Sequence, residues 1–294
     1  MSLTHKVNTL IKNPSMLSLF LYYKFLEIVQ KRKPIVTFGD NIKFSQFVSF
    51  SEYWNRKKGI SKDEIKVISE SFKSLTKNNL QDYTNHCLDV GANLGIFSLI
   101  MASIGFKQVH SFEPIPTIYQ RFLKNLELNP YLSGKISPIN KGISNKIGIM
   151  NFNEYPDSPG QSSIVKENID TTYSNSINHS IEVNTLDNLF QDNSLRIGLL
   201  KIDIEGFELF ALRGGSGLLR SNSIAFIYTE IIPQALEEVG DSVQDLVDFL
   251  ASYQMFPVVF NESTESFTYK TIDEALEWAG NRRNVLFANK NLIK

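Results

Sequence analysis

The densest chemistry in this 294-residue chain starts at Asp89-Val90-Gly91-Ala92-Asn93-Leu94-Gly95. The apolar run Cys87 to Val90 reads as a short strand, Asp89 lies at its end, and Gly91 to Gly95 turns into a helix. In open α/β sheets ligands bind outside the carboxyl ends of the strands, near the point where strand order reverses. A dinucleotide turn needs G-x-G-x-x-G, because the second glycine lets the backbone approach the pyrophosphate. Here Gly91, Asn93 and Ile96 occupy those three places, and the Asp89 carboxylate opposes a pyrophosphate. A ligand carrying an ammonium and a sulfonium suits Asp89 and a close glycine backbone. Glu113 follows 24 residues later, ending Val109-His110-Ser111-Phe112-Glu113-Pro114, where a carboxylate can accept both ribose hydroxyls. The expected ligand is therefore S-adenosylmethionine, held by Asp89, Gly91, Asn93, Gly95, Glu113 and Pro114.

The second cluster is Leu199-Leu200-Lys201-Ile202-Asp203-Ile204-Glu205-Gly206-Phe207-Glu208. Strand alternation puts Lys201, Asp203 and Glu205 on one face. Charges at the end of a buried strand are costly unless they are paired or bound to ligand. Asp203 is expected beside the sulfonium, as both a cofactor contact and a catalytic candidate. Lys201 is expected to pair with Glu230, which ends the next strand, Ile224 to Thr229. An in-line transfer to oxygen needs an aligned acceptor and a base for its proton. Asp203, Glu205 and Glu230 are the candidates. Of the four histidines, His5 and His86 look peripheral, His110 reads as a core residue, and His179 as solvated. Magnesium could sit among the three acids, but their spacing is not diagnostic, so no metal is expected.

The elements that must position these groups follow from hydrophobic periodicity. Strands are expected at 87–90, 108–112, 136–140, 197–203, 223–229, 255–260 and 285–288. Helices are expected at 95–103, 116–127, 207–212, 241–251 and 271–279. Such alternation predicts a doubly wound, mostly parallel sheet covered on both faces. Before it, residues 1–34 read as helix and 35–50 as a hairpin turning at Gly39-Asp40-Asn41. A further helix spans 61–75, with Ser61 and Glu64 forming a capping box. The polar stretch 154–182 reads as a long functional or mobile loop. Its Tyr155 and Tyr173, with Tyr22, Tyr23 and Trp54, are mostly packing residues that could also stack on an acceptor ring.

Composition bounds the partners. Lys+Arg (30) balance Asp+Glu (31), so a nucleic-acid ligand is not expected. The single Cys87 excludes an intramolecular disulfide and reads as an inert buried thiol. The apolar stretch Met16 to Val29 is interrupted by Lys24 and Glu27 and followed by Lys31-Arg32-Lys33, so no stable membrane insertion is expected. A packed amphipathic helix is the preferred reading there and a membrane-surface helix the minority one. No small-residue cleavage site follows, and the expected location is cytoplasmic. Nothing in the pattern assigns an oligomeric state.

Leu88 to Gly95, Phe112-Glu113-Pro114, Leu186-Asp187-Asn188-Leu189, Leu200 to Glu208 and Leu212-Arg213-Gly214 together resemble the FkbM-type methyltransferase family. The resemblance covers about residues 85–215. It implies a class I methyltransferase (Rossmann-like) fold and methyl transfer to a hydroxyl of a polyketide, sugar, glycan or other secondary metabolite. On that reading residues 1–75 form a helical and hairpin appendage and 76–294 the methyltransferase domain. Three alternatives stay open. Enzymes methylating the exocyclic amine of adenine or cytosine resemble one another in an Asn/Asp-Pro-Pro-aromatic motif, where this chain has Asp203-Ile204-Glu205-Gly206. A non-catalytic nucleoside-binding domain could dispense with Asp203, Glu205 and Glu208. A dehydrogenase is disfavoured by the first turn.

Overall fold

The computed structural model describes residues 14–39, 41–45, 47, 53, 62–154, 163–164, 177–192, 194–279 and 284–294. Its centre is an eight-stranded sheet in the order Ser266–Tyr269, Met255–Asn261, Asn284–Asn289, Ile224–Glu230, Ile197–Ile202, His86–Val90, Gln108–Phe112, Ile136–Ile139. The last five of these run parallel to one another. Asn284–Asn289 lies antiparallel between Ile224–Glu230 and Met255–Asn261, and Ser266–Tyr269 closes that edge as a hairpin partner. This is the doubly wound, mostly parallel sheet expected from the sequence.

Parallel strands are covered on both faces and so need unbroken apolar runs. Every residue of Ile197–Ile202 is buried, and only Glu230 of Ile224–Glu230 is not. Alternation sorts their side chains into two cores. Leu199, Phe226 and Tyr228 pack with Ile68, Leu99 and Phe106. Leu200, Ile202 and Ile227 pack on the other face with Leu209, Leu246 and Leu250. Cys87 lies in the first core, where burial pushes its thiol well up and leaves it inert.

The chain winds outward from His86–Val90 to Gln108–Phe112 and Ile136–Ile139, then resumes on the other side of His86–Val90 with Ile197–Ile202. Strand order therefore reverses between His86–Val90 and Ile197–Ile202, at the carboxyl ends where both motif clusters begin. The two ends are tied directly: the Asp203 amide donates to the Val90 carbonyl (3.1 Å), and those of Gly91 and Ala92 donate to that of Phe112 (3.1 and 2.9 Å).

The expected hairpin forms from Val36–Phe38 and Ile42–Phe44. It is clamped by the end of the helix Pro116–Glu127: Asn129 exchanges hydrogen bonds with the Lys43 backbone, and the side-chain Oδ1 of Asn125 accepts from the Ser45 amide. Asn125 also donates to the Leu94 carbonyl (3.0 Å), so one buried amide joins the hairpin to the Gly91–Gly95 turn. The helix Lys62–Lys77 buries Ile68 and Leu75 in the first core. In the N-terminal stretch the helix Pro14–Lys24 continues as a π-helical turn, Phe25–Val29, and stops before Pro34. No helix among the described residues is long and apolar enough to cross a membrane.

The expected loop at 154–182 is corrected at its ends. Gly148–Glu154 and Ile177–Asn184 pair antiparallel within a second, four-stranded sheet that also contains Gly142–Ile143 and Ser163–Ile164. Ile181 and Val183 point inward and the alternating polar residues outward, so the segment's polar composition masked a half-buried strand. His5, Asp40, Trp54, Ser61, Tyr155 and Tyr173 lie outside the described residues.

Candidate active site

A cavity opens at the reversal point, lined by Gly91, Asn93, Glu113, Pro114, Asp203 and Glu205, with Lys201, Phe97, Ile118 and Phe152 completing its walls. The turn works by backbone geometry. Gly91 has φ +79°, and a Cβ there would stand 2.0 Å from the Asp203 carbonyl oxygen. Gly95 has φ +78° and abuts the Phe122 ring, so it sets the turn without lining the cavity. Asn93 sits at φ +51°, a conformation asparagine tolerates. Its amide donates to Glu113 Oε2 (3.0 Å), and the Ile115 amide donates to Oε1 (2.9 Å). Glu113 is thereby fixed at the cavity wall. Asn93 Oδ1 is buried and has no hydrogen-bond partner among the described residues.

Two expectations are corrected here. Asp89 does not line the cavity. Its position on the pleat turns it under the helix Ile96–Ile104, where it is fully buried and accepts from Ser98 Oγ (2.6 Å). Lys201 does not pair with Glu230. Parallel register sets it beside Asp89, and its ammonium lies 3.5 Å from Asp89 Oδ1, 3.3 Å from Asp203 Oδ2 and 4.9 Å from the centre of the Phe97 ring. Burial alone pulls the ammonium down, but Asp203 and Asp89 outweigh it and leave the lysine raised. This buried cation was legible as a residue needing a partner, and the partner was not. Phe152 was missed as a wall residue, although the alternation Met150-Asn151-Phe152-Asn153 carried its signal.

The three candidate acids do converge. One carboxylate oxygen each from Asp203, Glu205 and Glu230 lie within 4.8 Å of one another, a spacing that could hold a metal ion. Glu230 is not part of the cavity lining. Glu205 adopts φ +55°, a strained conformation for a glutamate, which aims it into the site. Burial first, then the charges of Asp203 and Glu208, push Glu205 up to about 7. Burial, Asp203 and Glu205 push Glu230 up to about 8. Glu208 is raised to about 7 by burial; its Oε1 accepts from the Ile204 and Gly206 amides and so shapes the loop that carries Glu205. His179 lies on Ile177–Asn184 opposite Phe152.

These shifts make stability depend on pH in two opposed ways. His86 and His110 stack with Nδ1 and Nε2 3.3 Å apart, and burial lowers both, His110 to about 4. Their stabilising neutral forms hold fully above the unfolded value of about 6.5, and that stability is lost as pH falls towards 4. The raised glutamates act in the opposite sense. Their contribution is complete below the unfolded value of about 4.3 and is lost as pH rises through 7 to 8. The two limbs overlap between about 4.3 and 6.5, where they oppose each other, so variants are needed to separate them. His110→Leu should flatten the acid limb and Glu230→Gln the alkaline one. Parallel pH profiles for wild type and both variants would remove these groups as the cause.

Residues 89–256 match the family described as the methyltransferase FkbM domain. Methyltransferase sdnD of Sordaria araneosa is 30% identical over 170 residues, covering 45% of this chain and 65% of that protein. The hexuronic acid methyltransferase AglP of Haloferax volcanii is 27% identical over 146 residues, 49% of this chain and 54% of that one. The chain thus spans roughly half to two thirds of the curated relatives it matches. Among solved structures, methyltransferase FkbM from Methylobacillus flagellatus KT aligns with a TM-score of 0.43 at 15% identity, covering 69% of this chain and 43% of the other. With the family match extending over more than half of its length, the chain belongs to the FkbM methyltransferase family.

Proposed function

We propose that this protein is an S-adenosylmethionine-dependent O-methyltransferase whose acceptor is a hydroxyl of a small molecule, sugar, glycan or polyketide-type metabolite. The observation that carries the reading is the acidic cavity at the strand reversal, where Glu113 and Asn93 face Asp203 and Glu205. The residues fit the cofactor. Glu113 can accept from ribose hydroxyls, the orphan Asn93 Oδ1 calls for a donor, and the carboxylates suit a cationic ligand better than a pyrophosphate. When bound, the cofactor supplies the methyl group on an already good leaving group. Asp203 holds the charge at the end of Ile197–Ile202, with Lys201 fixing its side chain from behind. Glu205 takes the acceptor's proton, its raised affinity for protons matching a base that works near neutral pH. Phe97, Ile118 and Phe152 keep water from the site.

The name of one relative, a hexuronic acid methyltransferase, supports a sugar acceptor. Magnesium held by Asp203, Glu205 and Glu230 is the second reading, favoured by their convergence within 4.8 Å. Incubation with methyl-labelled cofactor and hydroxylated acceptors, including uronic acids, tests both. An alkali-stable labelled ether, formed in the presence of a chelator, is expected. An alkali-labile product would place the methyl on a carboxylate, and labelling of amines alone would make it an N-methyltransferase. Cofactor binding with no turnover on any acceptor class would indicate a nucleoside-binding domain without catalysis. Loss of activity to the chelator, restored by magnesium, would favour the metal.

A further inference from the structure

The N-terminal helix carries an apolar face that nothing in the described chain covers. Its inner side packs normally: Tyr23 and Leu26 are buried, and the Tyr23 ring lies tilted against that of Tyr53 at 5.6 Å. The outer side presents Leu21 (59% exposed), Tyr22, Phe25, Ile28 (69%) and Val29. These positions recur at i, i+1, i+4, i+7 and i+8, the spacing of one continuous helical stripe. A stripe of that width ordinarily faces a core, and contiguous exposed apolar patches mark interaction sites.

The charge around the stripe points to its occupant. Lys31, Arg32 and Lys33 follow directly and are exposed, and Lys24 lies on the helix itself. The one acid between Pro14 and Phe38, Glu27, is engaged by Lys24 (2.8 Å) and Lys33 (3.4 Å). The strip from residue 14 to 38 thus holds four cations against one carboxylate in a chain of net charge −1. An apolar face bordered by basic residues fits a bilayer interface, where side chains enter the acyl boundary and cations meet headgroup phosphates. The helix with its π turn is too short to span, so it would lie in the plane.

We propose that the stripe Leu21, Tyr22, Phe25, Ile28 and Val29, with Lys31, Arg32 and Lys33, docks this protein onto an anionic membrane surface. The attachment is peripheral and brings the enzyme to acceptors held at that surface. Because it uses both apolar burial and charge, either half alone is insufficient, as for other two-signal membrane attachments.

Co-sedimentation with phosphatidylcholine vesicles, with and without phosphatidylglycerol, tests this on the full chain. Binding is expected only with phosphatidylglycerol and should weaken in high salt. Lys31→Glu/Arg32→Glu should weaken it about thirty-fold or more, from the loss of two basic contacts. Phe25→Glu/Ile28→Glu should reduce it to background. Both sites are exposed, and unchanged thermal melts confirm that the variants remain folded. Absence of binding to the anionic vesicles overturns the proposal, as does undiminished binding by Phe25→Glu/Ile28→Glu. A concentration-dependent dimer dissolved by that variant, without vesicle binding, assigns the stripe to a second copy of the chain and also overturns it.

Discussion

Replacing Lys201 with methionine is expected to cost about 3–5 kcal/mol of stability, the usual penalty for removing one partner of a buried ion pair. The lysine is 2% exposed and stands beside Asp89, which is fully buried. Without the ammonium, Asp89 keeps only the Ser98 hydroxyl as a hydrogen-bond donor among the described residues, and its Oδ1 has none there. Methionine fills nearly the same volume, so the loss reports charge and not a cavity. Removing both charges together, in Lys201→Met/Asp89→Leu, should recover most of the loss, because an apolar pair of similar volume often equals a buried ion pair. Urea unfolding of the three proteins gives the comparison. A cost under about 1 kcal/mol for Lys201→Met would show that this buried pair contributes no more than a surface one.

Changing Glu205 to glutamine is expected to lower kcat by about 10²–10⁴-fold, the range a positioned base contributes. The KM for the cofactor should hardly move, because the lost interaction belongs mainly to the transition state. Asp203→Asn should raise cofactor KM and lower kcat together, since its charge is proposed to act on the methyl donor. The pH–rate profile separates these roles. Glu205 and Glu230 interact, so the wild-type profile should rise through apparent values belonging to the pair, near 7 and 8. In Glu230→Gln the step near 8 should disappear and the rise near 7 should remain, because Glu230 is still protonated when Glu205 titrates. Near-wild-type turnover by Glu205→Gln would pass the base role to Glu230 or to a residue outside this cluster.

The sheet was readable because buried parallel strands announce themselves. Cys87-Leu88, Val109 to Phe112, Ile197 to Ile202 and Ile224 to Thr229 are short apolar runs separated by helical periodicity. The turn was readable because Gly91 and Gly95 mark backbone conformations that other residues resist. Lys201's partner was hidden, since only parallel pairing brings it level with a residue 112 positions earlier. Asp89 was misplaced for a related reason: its motif position is visible, but the face it occupies depends on the pleat and on Ser98. The convergence of Glu230 with Asp203 and Glu205 followed from adjacent strand ends and was foreseen. The left-handed backbone of Glu205, which aims it into the cavity, has no sequence marker. In the second sheet, the exposed Asn178, Ser180 and Glu182 outnumbered the inward Ile181 and Val183, so a strand looked like loop.

The central claim is that the strand-reversal cavity takes a sulfonium nucleoside, and calorimetric titration with S-adenosylhomocysteine tests it most directly. One site of micromolar Kd is expected, the range of ordinary cofactor sites. Glu113→Ala should weaken it about ten-fold or more, because a charge-assisted acceptor is lost. Titration with NAD should give no heat. A folded chain that binds NAD in preference, or that binds S-adenosylhomocysteine equally well with and without the Glu113 carboxylate, would contradict the account.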